Sequence, residues 1–142
     1  MPGIVVGVDG SRSGQQALEW AVRHAATEQA PLTVLTVHHV ARSAWTGAPI
    51  GSPEDRADQE KALQAAQEAV AKAVSELSVR PGEVYVHGVS DLPARALIEA
   101  SRDADLVVVG SRGHGGFSGL PLGSVSSQVV GHAACPVVVV RH

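Results

Sequence analysis

A chain of 142 residues with a formal net charge of −3 fits one domain (1–142) of ordinary size, with enough apolar content for a real core. Its basic residues are scattered and only two are lysines, Lys61 and Lys72, which leaves no basic stretch for nucleic acid or an anionic membrane. The single cysteine, Cys135, excludes an internal disulfide and points to a reducing compartment; with no signal-like start and no apolar run of about 18 residues, a soluble cytoplasmic chain is expected.

In chain order, Ile4–Val8 reads as the first buried strand, short and β-branched. From about Ser13 to Glu28, Ala17, Leu18, Ala21, Val22 and Ala25 share one helical face. Leu32–Val37 is the second strand. His38 and His39 follow it as strand-end residues facing opposite ways. Val40–Pro53 carries Gly, Pro and Ser without periodicity and reads as a long loop, with Trp45 in it packing on the domain or stacking on a base. From about Glu54 to Leu77 a long helix is expected, with Leu63, Ala66, Val70, Ala73, Val74 and Leu77 on one face. Val84–His87 is a third strand, and Pro93 opens a helix to Arg102. Leu106–Val109, a helix from Gly123 to Ala134 and the strand Val137–Val140 complete the pattern. Cys135, at the last helix end, reads as a buried structural thiol.

Strand–helix alternation repeated four times and closed by a fifth strand argues for an α/β fold: an open, mainly parallel five-stranded sheet with helices on both faces, Rossmann-like. In such sheets ligands sit at the C-terminal strand edge where strand order reverses. Asp9, Val37 with His38, and Gly110 stand at three such ends.

The strongest functional signal is G-x2-G-x9-G-S across Gly110, Gly113, Gly123 and Ser124. Glycines let the backbone approach an anion, and free amides at a helix start point toward it. Amides from Gly123 to Ser126 are placed to meet a phosphate, with the hydroxyls of Ser124 and Ser126 adding hydrogen bonds. Ser124 is equally suited to be an N-cap. No G-x4-G-K-[S/T] is present, nor G-x-G-x-x-G after the first strand, so a lysine-bearing phosphate loop and a nicotinamide site are both excluded. No Cys/His set has metal-ligand spacing. Asp9 stands nearly alone as a carboxylate; Asp91 follows the third strand with no assigned role.

The segments Val5–Ser11 (V-V-G-V-D-G-S), Gly88–Ala96, Asp105–Gly113 (D-L-V-V-V-G-S-R-G), Leu122–Ser126 (L-G-S-V-S) and the closing C-P-V-V-V-V together resemble the small, single-domain, ATP-binding type of universal stress protein, over essentially the whole chain. The resemblance implies the adenine nucleotide alpha hydrolase-like variant of the fold, with strand order 3-2-1-4-5. It implies Asp9 beside the base and ribose or a metal-bound water, Val37 presenting backbone groups to adenine, and Val109 and Gly110 under the ribose. Gly113, Gly123, Ser124, Val125 and Ser126 would hold the phosphates of ATP, with Mg2+ held there rather than in a protein cage. Arg112 and His38 are further candidates. A homodimer through Val137–Val140 is also implied, and an uncovered apolar edge strand is a pairing hazard in its own right. Four roles follow: an ATP-dependent stress or signalling module with little or no hydrolysis, a slow ATPase, a cyclic AMP or AMP sensor, or a dimeric interaction protein with a vestigial pocket.

Overall fold

A computed structural model describes residues 3–38, 53–112 and 122–141. The elements are β1 (Ile4–Val8), α1 (Arg12–Glu28), β2 (Leu32–His38), α2 (Pro53–Ser75), β3 (Val84–Ser90), α3 (Pro93–Ser101), β4 (Leu106–Gly110), α4 (Ser124–His132) and β5 (Val137–Val140). All strand pairs are parallel, in the order β3-β2-β1-β4-β5. The expected fold class and strand order are therefore observed.

The valine-rich strands serve two cores because alternate side chains leave opposite faces. Ile4, Val6, Leu32, Val34 and Val108 face α1 and α2, meeting Ala17, Leu18, Ala21, Val22 and Ala25 of α1 and Val70 and Ala73 of α2. Val5, Leu35, Val107 and Val109 face the other way, against Ala94 and Leu97 of α3 and Val129 of α4. Order reverses between β1 and β4: the chain steps outward from β1 to β2 and β3, then crosses back to β4 on β1's other side.

Several boundaries differ from the sequence reading. β3 runs on to Ser90, because Gly88, Val89 and Ser90 keep register with Thr36, Val37 and His38 of β2. α4 stops at His132: the Ala134 amide is taken by the Ser101 hydroxyl (2.8 Å), and Pro136 blocks continuation. Cys135 is half-buried, not buried, packing at the margin of the second core. Among the described residues β5 is an edge strand, paired only to β4. No helix among the described residues is long and apolar enough to cross a membrane.

Candidate functional site

Two helices begin at the C-terminal edge of the sheet beside the reversal point. At α1, Asp9 leaves β1 and Gly10 takes φ 82°, a left-handed turn that glycine adopts without penalty. The Asp9 carboxylate accepts from the Ser11 amide (2.9 Å) and hydroxyl (2.5 Å). Ser11 in turn is the N-cap, accepting from the Gly14 amide at 3.0 Å. Asp9 is thus an exposed carboxylate whose direction is fixed by the first turn of α1.

At α4 the closure is different. Gly123, buried and extended, is the N-cap, and no side chain caps the turn. The N-cap role open to Ser124 falls to Gly123, and Ser124 becomes the first helical residue, exposed. The Gly123 amide donates to the Ser111 carbonyl at 2.6 Å. The amides of Ser124, Val125 and Ser126 have no intrahelical acceptor by the geometry of a helix start, and the positive end of the helix dipole lies with them.

The chain leaving β4 is held from both sides. The Ser126 hydroxyl donates to the Gly110 carbonyl (2.5 Å), and the Arg112 amide donates to the Ser13 hydroxyl (3.1 Å). A Cβ on Gly110 would sit 2.4 Å from Ser13 Oγ and 2.7 Å from the Ser13 carbonyl oxygen. Glycine is required here by the approach of α1, whatever else occupies the edge.

These parts line an open cleft at the C-terminal edge of the sheet. Asp9, Val37, Val109, Gly110, Arg112, Val125 and Ser126 all line it, so seven of the sequence-derived candidates converge. Gly123 and Ser124 stand at the same helix start without lining the cleft. His38 ends β2, its backbone in register with Ser90. Gly113, His39 and Trp45 lie outside the described residues, as do positions 40–52 of the Val40–Pro53 segment. Asp91 is not a lining residue; its carboxylate accepts from the Leu92 amide at 2.7 Å.

Sequence reasoning missed Gly7, Gly14, Pro93 and Leu97 in the lining, and Ser13 behind it. Gly7 was legible only as part of a strand, yet its missing side chain admits Leu97: a Cβ would meet Leu97 Cδ1 at 2.8 Å. Ser13 carries no sequence signal beyond its place in a first helical turn. A second cleft of about 380 Å3 opens between α1 and α2, sharing Val8, Asp9 and Val37 with the first. No group of three or more His, Cys, Asp or Glu among the described residues is arranged for a metal ion.

Comparison with known proteins agrees with this architecture. A model of the universal stress protein family matches residues 2–141. A universal stress protein of Mycobacterium tuberculosis is 38% identical over 142 residues, covering 98% of this chain and 47% of its own length. One from Mycolicibacterium smegmatis is 36% identical over 142 residues, covering 98% and 48%. The chain spans about half the length of these curated relatives. Among solved structures, the universal stress protein UspA from Lactobacillus plantarum superposes with TM-score 0.76 at 26% identity, covering 97% of this chain and 96% of that one. A universal stress protein in complex with cAMP gives TM-score 0.70 at 27% identity, covering 97% and 94%.

Proposed function

The chain belongs to the universal stress protein family, and from that premise we propose that it is an ATP-binding stress or signalling module with little or no hydrolysis. The observation that carries the reading is the convergence, in one cleft at the reversal point, of an oriented carboxylate, apolar walls and an uncapped helix start. Apolar residues Val37, Leu97 and Val109 suit a planar base. Asp9 suits ribose hydroxyls or a cation-bound water. The amides of Ser124, Val125 and Ser126 suit phosphate oxygens, where the helix end favours negative charge. The Ser126 hydroxyl already donates to Gly110, so its amide is the group assigned to phosphate. Gly113 and Arg112 are assigned to the same end, and His38 stays a candidate at the β2 end.

The donor set fits a magnesium nucleotide: amides and one arginine for phosphate, with a single carboxylate at the edge instead of an all-protein cage. Magnesium would supply charge neutralisation at the phosphates. Asp9 is the only carboxylate lining the cleft among the described residues, and both Ser11 donors hold it. That arrangement favours binding over water activation and ranks slow hydrolysis second. A sensor of cyclic AMP is the competing reading, supported by the related structure in complex with that ligand. We further assign β5 as the face of a homodimer, since its outer edge has no strand partner among the described residues.

Isothermal titration with ATP and magnesium, with cyclic AMP as comparison, tests the assignment. One ATP per chain with weaker cyclic AMP binding is expected. The reverse preference moves the protein to the sensor role, and brisk turnover lost in Asp9→Ala overturns the binding-module reading.

A further inference from the structure

β1 is the central strand of an all-parallel sheet, and its run Ile4-Val5-Val6-Gly7-Val8 is β-branched at every position but one. A glycine inside such a strand gives up packing and backbone entropy, and it commonly marks a place where something approaches closely. Gly7 is two residues on from Val5, on the sheet face that meets α3 and α4, and its register partner on β2 is Leu35. Leu35 and Val37 of β2 flank it on one side, Val107 and Val109 of β4 on the other, so the missing side chain leaves a notch in that face.

Leu97 of α3 occupies the notch. A Cβ on Gly7 would stand 2.8 Å from Leu97 Cδ1 and 3.0 Å from Cδ2, so the leucine reaches its present depth only because residue 7 is glycine. Gly7 and Leu97 both line the first cleft, beside Val37 and Val109. Leu97 is 3% exposed, with the second core packed behind it and the cleft in front. A side chain at position 7 pushes the leucine toward the cleft, where the described residues leave space, because a close-packed interior resists displacement. The pair therefore sets the depth of the apolar part of the cleft.

We propose that Gly7 and Leu97 together determine base specificity, giving the cleft the depth for a two-ring purine in preference to a one-ring pyrimidine. The inference rests on the nucleotide reading and adds to it the residues that select the base. Neither side chain offers a polar group, so selection is by volume, in an apolar pocket where one methylene is worth about 10–200-fold.

Isothermal titration of the full chain with ATP and with CTP, magnesium present, tests the assignment. Where cyclic AMP is the tighter ligand, cyclic AMP and cyclic CMP form the pair, since both readings share the base. The wild-type protein is expected to favour the purine by at least about tenfold. Gly7→Ala should weaken purine binding about tenfold or more and leave pyrimidine affinity within about twofold. A loss of fold would weaken both nucleotides alike. Adding Leu97→Val to Gly7→Ala removes both δ-carbons that the new methyl strikes, and the purine preference should return. Should Gly7→Ala not fold, Leu97→Phe enlarges the same wall from α3 and should give the same selective loss. Binding of neither nucleotide by the wild-type protein overturns this proposal together with the nucleotide reading. Equal wild-type affinities, a preference unchanged in the folded variant, equal weakening of both nucleotides, or no recovery in the double variant overturns the proposal alone.

Discussion

The first turns of α1 and α4 begin at the same edge of the sheet and are finished in opposite ways. At α1, the Ser11 hydroxyl satisfies the Gly14 amide and the Asp9 carboxylate satisfies Ser11, so the turn is closed by its own side chains. At α4, Gly123 brings no side chain, no side-chain cap is formed among the described residues, and the next three amides have no intrahelical acceptor. Both helices carry a dipole of the same sense, and the residue at the N-cap decides whether that end is closed by a side chain. The difference also divides labour, because the closed turn aims a carboxylate and the open one presents donors.

The most severe way to break the comparison is to separate the two turns. Gly110 lies between them, and a side chain there collides with backbone atoms of Ser13, which cannot move without α1. Gly110→Val is expected to lose about 3 kcal/mol of stability, at the upper end of overpacking costs. Urea denaturation measures it. A loss below about 1 kcal/mol would show that α1 shifts freely and does not brace the β4 exit.

A second variant sharpens the comparison by closing α4 as α1 is closed. Ser124→Asp places a carboxylate in the first turn, which stabilises the helix by roughly 0.3–1 kcal/mol. The same charge competes with phosphate for the amides, and ATP affinity is expected to fall at least about tenfold, or ~1.4 kcal/mol. Stability and affinity should move in opposite directions. Undiminished affinity in titration would mean that phosphate does not use this helix start.

Much of this edge was legible in the sequence, for identifiable reasons. The strands announced themselves as short β-branched runs, and glycine spacing placed Gly110 and the start of α4 at one edge before any coordinates. What stayed hidden depended on contacts between distant segments. Ser13 reads as any first-turn serine until Arg112, 99 positions away, donates to it. Gly110 reads as a ligand glycine, yet the observed collision is with α1. β3 was cut short at His87 because Gly88 weakens a strand pattern, whereas the ladder to β2 continues through it. The second cleft was invisible because its alanines read as ordinary helix formers.

Opening the closed turn gives a smaller effect. Ser11→Ala removes the cap and both of that side chain's bonds, and about 1 kcal/mol of stability should be lost. Asp9 keeps the Ser11 amide but loses the hydroxyl, so ATP affinity should weaken only a few-fold, less than in Ser124→Asp. A larger affinity loss in Ser11→Ala than in Ser124→Asp would reverse the assignment of which turn receives the ligand.

The smallest effect tests whether the receiving role belongs to the start of α4 alone. Past its other end, the half-buried Cys135 thiol packs at the margin of the second core. Burial pushes its pKa up from 9.0; a backbone hydrogen bond with Val107 opposes this, and the charge of Asp105 adds to it. A folded pKa above the unfolded one means that the native state holds the proton more tightly. This contribution is fully present below pH 9.0 and is lost as pH rises through the higher folded value. Tyr85, raised from 10.0 chiefly by its hydrogen bond to Glu83, declines in the same direction at higher pH, so the interval between 9.0 and 10.0 isolates the thiol. Denaturation midpoints of the wild-type protein should therefore fall across that interval more steeply than those of Cys135→Ser. ATP affinity at neutral pH should be the same in both. Parallel pH slopes would show that the thiol titrates as if exposed, and a change in ATP affinity would show that the far end of α4 is coupled to its start.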